Sequence, residues 1–498
     1  MQGLQAGAPV GVLGGGAMGA GIAQVAAAAG HPVVVLEVDA ARAGAAAQGV
    51  RTALQRAADR GRVAPAVAQA AQQGVRGTTH VAELAGCGLV VEAVVEQLEA
   101  KRALLRSVED VVDPGCVLAT NTSSISIDAI GTALADPSRL VGMHFFNPAP
   151  VMRLVEVVSG LQSGPGAADL VEATAQAWGK ATVRCASTPG FVVNRVARPF
   201  YSEALAVVAE TGLSPAVVDE LYREAGGFRM GPLELTDLIG QDVNAAVTDS
   251  VWRALDLDPR NRPSALQRSL VEAGRLGRKT GRGFYEGAPV PGPAGPVAAA
   301  GGWTGELRVG PAGPLRPLLE RTGAGLHDAA DLDRWVQLPG GALLGLTEGS
   351  LAAEEAQRWG HDVVLLDLAL DLAATARVGA AATSPAAAEQ VAALLGTAGV
   401  AVTPLPDTPG LLLARTVALV VDEAVDLAAR QRMAPQDVDE AVRLGLNYPL
   451  GPHAWGDRVG PAWVVRLLDQ LERLQPGGRF RVSTALRLAA LQGRRLRG

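Results

Sequence analysis

The stretch Pro9-Val10-Gly11-Val12-Leu13-Gly14-Gly15-Gly16-Ala17-Met18-Gly19 joins a short apolar run to a glycine turn. Pro9 to Leu13 predicts a buried strand, and Ala20 to Ala29 predicts a helix. His31-Pro32 then leads into Val33 to Leu36, a second strand that ends at Glu37. The pattern is a βαβ unit of about thirty residues. Gly14 permits the tight turn, Gly16 lets backbone approach a pyrophosphate, and Gly19 lets the helix pack on the strand. The helix start offers unpaired N–H groups and a positive dipole end to phosphates. Glu37 would accept hydrogen bonds from a ribose diol and repel a 2′-phosphate, which favours NAD over NADP. Asp39, two residues on, competes for that role but reads better as a solvated loop acid.

Length bounds the rest. A chain of 498 residues is expected to hold two to four domains. Hydrophobic content of 48% suits a protein that fills its cores, and a net charge of −6 argues against a nucleic-acid partner. Val10 to Gly30 is uncharged, but its apolar residues are mostly Ala and no basic segment precedes it, so neither a membrane span nor a signal peptide is expected. Cys87, Cys116 and Cys185 lack metal-type spacing. No metal is expected, and a reduced, cytoplasmic compartment fits. Basic residues are almost all Arg; Lys101, Lys180 and Lys279 are the three lysines. A lysine kept in so Arg-biased a chain points to a place where a compact point charge is needed.

Further strands are predicted at Gly88 to Val91, Val117 to Ala119 and Leu140 to Met143, giving a parallel, doubly wound sheet. From Pro189 the pattern turns helical, with amphipathic stretches Val192 to Glu210 and Ser214 to Glu224. Thr188-Pro189-Gly190 recurs as Thr408-Pro409-Gly410, 220 residues on. At the same offset Arg195 meets Arg415, Glu203-Ala204 meets Glu423-Ala424, Val218-Asp219 meets Val438-Asp439, and Gly231-Pro232 meets Gly451-Pro452. A constant offset implies a duplicated helical domain. Asn194 becomes Ala414 in the second copy, so that copy is expected to be non-catalytic. Gly30-His31 and Val33-Val34 echo as Gly360-His361 and Val363-Val364, displaced by 330. That echo suggests a shrunken nucleotide-type domain in which Leu344 and Leu346 replace Gly14 and Gly16 and exclude a dinucleotide.

The expected layout is an α/β Rossmann-like NAD-binding domain over 1–187 and an all-α domain, the catalytic copy, over 188–286. A linker follows over 287–335, its first part rich in Gly, Pro and Ala. A degenerate small α/β segment over 336–405 and a second, non-catalytic all-α copy over 406–498 complete the chain.

His144, in Met143-His144-Phe145-Phe146-Asn147-Pro148, follows a strand end, where α/β sheets place their sites. A neutral imidazole there can take a hydroxyl proton as hydride leaves the same carbon. Glu156 either fixes the tautomer of that ring or is an exposed strand acid. Ser123, in Asn121-Thr122-Ser123-Ser124, is a substrate contact or a helix cap. Asn194 is a poor helix former, which invites a side-chain role.

Taken together, Gly-Gly-Gly-Ala-Met-Gly at 14–19, Val90-Val91-Glu92-Ala93, Asn121-Thr122-Ser123-Ser124, His144-Phe145-Phe146-Asn147-Pro148, Thr188-Pro189-Gly190-Phe191 and Gly277-Arg278-Lys279-Thr280-Gly281 resemble the 3-hydroxyacyl-CoA dehydrogenase family. The resemblance covers residues 8 to 285. It implies NAD-dependent oxidation of an (S)-3-hydroxyacyl-CoA to a 3-oxoacyl-CoA. His144 would be the base, Glu156 its partner, and Ser123 and Asn194 the holders of hydroxyl and thioester carbonyl. Gly14, Gly16, Met18, Gly19, Glu37, Glu96, Lys101, Asn147 and Lys279 fall at NAD-contacting positions, and Arg60 or Arg62 would meet the CoA phosphates. The doubled helical domain is similar to that of long bacterial members, several of which oxidise 3-hydroxyadipyl-CoA in phenylacetate breakdown while others act on 3-hydroxybutyryl-CoA. Short members pair through their helical domain, so an intrachain pseudo-dimer is implied here, with a homodimer of whole chains also open. Arg153, Arg198 and Arg229 are candidate partners for a terminal carboxylate. Two rivals remain: a β-hydroxyacid dehydrogenase of the 6-phosphogluconate type, which would need a helical Lys absent between Lys180 and Lys279, and a non-catalytic NAD-binding or structural relative.

Overall fold

Val10–Leu13 forms a strand (β1) with all four residues buried, as a parallel strand covered on both faces requires. The structure, a computed structural model, describes residues 3–287, 303 and 305–498. The chain divides into two units, Met1–Arg195 with Glu440–Leu446, and Val196–Asp439 with Asn447–Gly498.

In the first unit β1 is joined by β2 (Val33–Leu36), β3 (Val75–Thr78), β4 (Leu89–Glu92), β5 (Val117–Thr120), β6 (Leu140–Phe145), β7 (Leu154–Ser159) and β8 (Ala181–Ala186). They form one eight-stranded sheet in the order β3-β2-β1-β4-β5-β6-β7-β8. The three outlying strands expected from sequence are β4, β5 and β6. Val12, Val35, Val91, Ala119 and Val141 share a core with Ile22 of the helix Ala17–Ala28 and Val171 of the helix Pro165–Ala177. The sheet is not wholly parallel, because β7 runs antiparallel to β6. That reversal needs only the short Phe146–Arg153 connection, where a parallel return would need a crossover. It also sets Glu156 directly opposite His144.

The second unit holds most of both helical segments, and the duplication is visible in local geometry. Asp219 accepts the Leu233 and Glu234 N–H groups at 2.9 and 2.8 Å, and Asp439 accepts those of His453 and Ala454 at 2.7 and 3.1 Å. Gly240 and Gly460 both take positive φ, 107° and 90°, between consecutive helices. The segments pack on each other through the helices Arg198–Thr211 and Leu413–Gln431. The Tyr222 and Thr416 hydroxyls share a hydrogen bond of 2.6 Å, and the Phe200 and Tyr448 rings lie 5.5 Å apart. Buried ion pairs join the segments as well. Arg415 Nε donates to Glu203 Oε2 at 2.7 Å, and Arg479 Nε donates to Glu203 Oε1 at 3.1 Å. Arg260 donates to Glu423 at 3.0 Å and to Asp422 at 2.6 Å.

The second sheet contains β9 (Glu306–Val309), β10 (Gly325–Asp328), β11 (Val336–Gln337), β12 (Leu343–Leu346), β13 (Val363–Leu366), β14 (Arg377–Ala382) and β15 (Ala401–Pro404), in the order β10-β9-β11-β12-β13-β14-β15. This corrects the linker expected over 287–335. Residues 288–302 and 304 lie outside the described residues, but Leu307, Val309, Leu318 and Leu319 are buried and build β9 and a short helix into the unit. The Gly- and Pro-rich composition before residue 300 masked the apolar spacing after it.

The echo displaced by 330 is corrected too. β2 lies between two parallel neighbours, whereas β13 is parallel to β12 and antiparallel to β14. The sequence of parallel, antiparallel, parallel from β12 to β15 repeats that from β5 to β8. The small sheet therefore matches the end of the first sheet, and the offset near 220 runs on through β15. Leu344 and Leu346 are buried, and the loop after β12 packs on the helix Pro461–Leu474, where a Cβ at Gly349 would stand 2.7 Å from the Leu467 carbonyl oxygen.

Candidate active site

The glycine turn closes β1. Gly14 takes φ 90°, and a Cβ there would stand 3.0 Å from the Ala93 carbonyl oxygen. A Cβ at Gly19 would run into the Gly14 carbonyl oxygen, whereas one at Gly16 would meet nothing within 4 Å. The helix Ala17–Ala28 starts at Gly16 without a side-chain cap, with Met18 in its first turn. Glu37 accepts the Gly15 N–H at 2.7 Å and the Val38 N–H at 3.1 Å, which ties the end of β2 to the turn. Asp39 is the exposed loop acid expected, and it has a structural task. It caps the helix Ala40–Asp59 by accepting the Arg42 N–H at 2.8 Å. These residues fit a dinucleotide: open backbone where a pyrophosphate needs it, uncapped N–H groups, and a carboxylate at the end of the second strand.

At the end of β6, His144 Nδ1 lies 2.6 Å from Glu156 Oε2. Glu156 is wholly buried, and its Oε1 accepts the Val192 and Val193 N–H groups at 3.0 and 2.9 Å. One carboxylate therefore orients the imidazole and holds the segment that leads into Asn194. Both oxygens of Glu156 accept, so Nδ1 carries the proton and Nε2 is left as the basic nitrogen. Phe146 and Phe191 flank the ring, with centroids 4.6 and 5.6 Å away. Asn194 lies on the short helix Val193–Val196 in the same unit.

The loop of Ser123 hangs on Glu96. Glu96 Oε1 accepts the Thr122 hydroxyl at 2.6 Å, the Ser123 N–H at 3.0 Å, and the Ser124 N–H and hydroxyl at 3.1 and 2.9 Å. Burial raises the pKa of Glu96, but Lys101 and the Thr122 and Ser124 hydroxyls outweigh it and hold the group below its ordinary value. Lys101, expected at the cofactor, is held between two acids. It is 1% exposed, and its ammonium meets Glu92 at 2.8 Å and Glu96 at 3.1 Å. Its donors are taken up by these carboxylates. Asn147 is exposed beside the site loop, while Arg60 and Arg62 are exposed at the end of the helix Ala40–Asp59. Lys279 lies in the second unit, 2.6 Å from Asp242.

Several positioning residues escaped the sequence reading. Asn121 accepts the Phe145 N–H at 2.8 Å and sets the end of β6. Thr120 donates to Glu92 at 2.6 Å. Lys180 donates to the Ala149 and Met152 carbonyl oxygens at 2.6 and 2.8 Å and pins the loop after Asn147-Pro148. Lys180 carries a signal as one of three lysines in an Arg-biased chain, and Glu92 as a charge ending an otherwise apolar strand.

The family model for the NAD binding domain of 3-hydroxyacyl-CoA dehydrogenase matches residues 9–188. The model for its C-terminal domain matches 190–287 and 410–495, and the reduced Rossmann-fold domain of 3-hydroxybutyryl-CoA dehydrogenase matches 344–409. The 3-hydroxyadipyl-CoA dehydrogenase of Escherichia coli K12 is 41% identical over 97% of this chain and 97% of its own. The chain belongs to the 3-hydroxyacyl-CoA dehydrogenase family.

As a member, the dehydrogenase is an oxidoreductase that uses NAD and oxidises 3-hydroxyacyl-CoA. A solved structure of 3-hydroxybutyryl-CoA dehydrogenase from Escherichia coli K12 superposes with a TM-score of 0.89 at 39% identity, covering 97% of this chain and 98% of that one. A probable 3-hydroxybutyryl-CoA dehydrogenase of Deinococcus radiodurans is 40% identical over 55% of this chain and 99% of its own length. Family membership removes the 6-phosphogluconate-type reading, and the dehydrogenase names of the relatives support an enzyme over a non-catalytic relative. Among the described residues of the dehydrogenase, no helix is long and apolar enough to cross a membrane, and no cluster of candidate ligands for a metal occurs.

Proposed function

We propose that the substrate is 3-hydroxyadipyl-CoA or 3-hydroxybutyryl-CoA, taken as the (S)-alcohol in phenylacetate or fatty-acid catabolism in the cytoplasm. The observation that carries the catalytic part is the buried contact between His144 and Glu156 beside the Ser123 loop. Nε2 of His144 takes the hydroxyl proton of the substrate. Glu156 stabilises the imidazolium that results, through the Nδ1 proton. Ser123 and Asn194 hold the hydroxyl and the thioester carbonyl. NAD, when bound at the turn after β1, would supply the hydride acceptor for this oxidation. Gly14, Gly16, Met18, Gly19, Glu37, Glu96, Lys101, Asn147 and Lys279 are the cofactor contacts in this reading, and Arg60 or Arg62 receives the CoA phosphates.

The likeness to the 3-hydroxyadipyl-CoA dehydrogenase along nearly the whole chain favours a dicarboxylate substrate. Arg153 and Arg229 are exposed candidates for its far carboxylate, whereas Arg198 is buried and donates to Thr248 at 3.0 Å. The test is kcat/KM for hydroxyadipyl-CoA against hydroxybutyryl-CoA. A preference for the dicarboxylate that Arg153→Ala or Arg229→Ala abolishes supports the reading, and equal values refute it.

The helical pair is proposed as an intrachain pseudo-dimer. Glu203 of the first copy meets Arg479 of the second, and Glu423 of the second meets Arg260 of the first. Such an exchange of equivalent pairs is what a two-fold contact produces.

A further inference from the structure

We propose that Glu96, locked by the buried Lys101, is the positioning residue for the Ser123 loop. The proposal rests on the role given above to Ser123. A loop of three hydroxyl residues could have capped itself locally. Thr122 does accept the Ile125 N–H at 3.0 Å, but four further donors of the loop converge on one oxygen of a carboxylate 26 to 28 residues earlier in the chain. The other oxygen of Glu96 is held 3.1 Å from Lys101 Nζ. Lys101 is itself fixed by Glu92, which also accepts the Thr120 hydroxyl at 2.6 Å and the Val94 N–H at 2.7 Å. Ala93 and Val94 in turn back the glycine turn, within 3.0 and 3.1 Å of where a Gly14 Cβ would lie. One buried ammonium thus connects the end of β4, the dinucleotide turn and the substrate loop. The site needs a compact cation between two carboxylates, and a lysine stands there in a chain that otherwise uses Arg.

The experiment is a double-mutant cycle on the full-length enzyme at saturating NAD, which removes the cofactor contact also assigned to Glu96, read as kcat/KM for 3-hydroxybutyryl-CoA. Ser123→Ala and Glu96→Ala are each expected to cost about 10- to 100-fold, the usual effect of misplacing a substrate-holding group. If Glu96 acts through Ser123, the double variant falls no more than about 3-fold below the worse single one. The loss sits in kcat, with KM for acyl-CoA little changed. Glu96→Gln keeps an acceptor oxygen for the loop and recovers most of the rate. Lys101→Met is expected to follow Glu96→Ala in the same cycle. Should Lys101→Met fail to fold, the Glu96 cycle decides, since that side chain is 38% exposed and its removal leaves the Lys101–Glu92 pair intact. Losses that multiply in the double variant overturn the proposal while leaving Ser123 in its role. A silent Ser123→Ala overturns that role, and the proposal with it.

Discussion

Asp367 occupies, in the second sheet, the position that His144 occupies in the first. Its N–H donates to Gly379 across β13 and β14, and Gly379 stands at the register position of Glu156. The base and its partner are both gone, yet a carboxylate remains. Asp367 accepts the Leu412, Leu413 and Ala414 N–H groups at 3.2, 2.8 and 2.9 Å. Glu156 accepts the equivalent N–H groups of Val192 and Val193. The duplicated copy has lost the chemistry and kept the anchor for the helix start.

That anchor has a pH signature. Burial raises the pKa of Asp367 from 3.8 to about 6, against the four backbone N–H groups that lower it. A carboxyl raised in the folded state binds more protons there than in the unfolded chain. Its stabilising contribution is full below pH 4 and is lost as pH rises through 6, by roughly 3 kcal/mol. Asp367→Asn removes the titration. The Tm difference between Asp367→Asn and wild type should therefore move in favour of the variant between pH 4 and 6. A difference that stays flat over that range excludes the effect.

Much of this was legible in the residues. The βαβ unit was written in its apolar runs, and the helical duplication in an unbroken offset. Glu156 was left open because only the antiparallel β7 brings it across from His144, and a strand reversal leaves little mark in a run such as Leu154-Val155-Glu156-Val157-Val158. The burial of Lys101 was not legible, because a buried lysine between two acids and a lysine at a ligand look alike in one dimension. The second sheet was matched to the wrong part of the first because parallel strands share the same valine-rich wording whatever their neighbours.

His144→Gln should lower kcat by about 10²–10⁴-fold, the usual value of a general base. NADH binding, followed by fluorescence titration, should be unchanged. Glu156→Gln should displace the pH profile of kcat and lower kcat by up to about 10⁴-fold, because its oxygen still accepts Val192 and Val193 while its NH2 faces Nδ1 and turns the ring to the wrong tautomer. Glu156→Ala frees both N–H groups and should also raise KM, as the segment before Asn194 loosens. Identical kinetics for the Gln and Ala variants would show that the backbone contact has no part in the site.

Arg260 is almost wholly buried and faces Asp422 and Glu423 across the helical pair. Replacing it with Met leaves two carboxylates without their cation, which should cost about 3–5 kcal/mol and several degrees of Tm. Adding Glu423→Gln should recover part of that loss, since one stranded charge is then removed. If Arg260→Met melts with wild type, the ion pairs contribute little and the helical contact rests on Phe200, Tyr222 and their neighbours.

Gly16 and Gly19 separate binding from folding. At Gly16 an added methyl meets only open space, so Gly16→Ala should fold with an unchanged Tm. That methyl would stand where the pyrophosphate must approach the backbone, and NADH affinity should fall by at least about 10-fold. At Gly19 the methyl collides with the Gly14 carbonyl oxygen and forces the helix off its strand. Gly19→Ala should lower Tm first and lose NADH binding as a consequence. Affinity retained in a well-folded Gly16→Ala variant would place the dinucleotide away from the turn after β1, whatever the behaviour of Gly19→Ala.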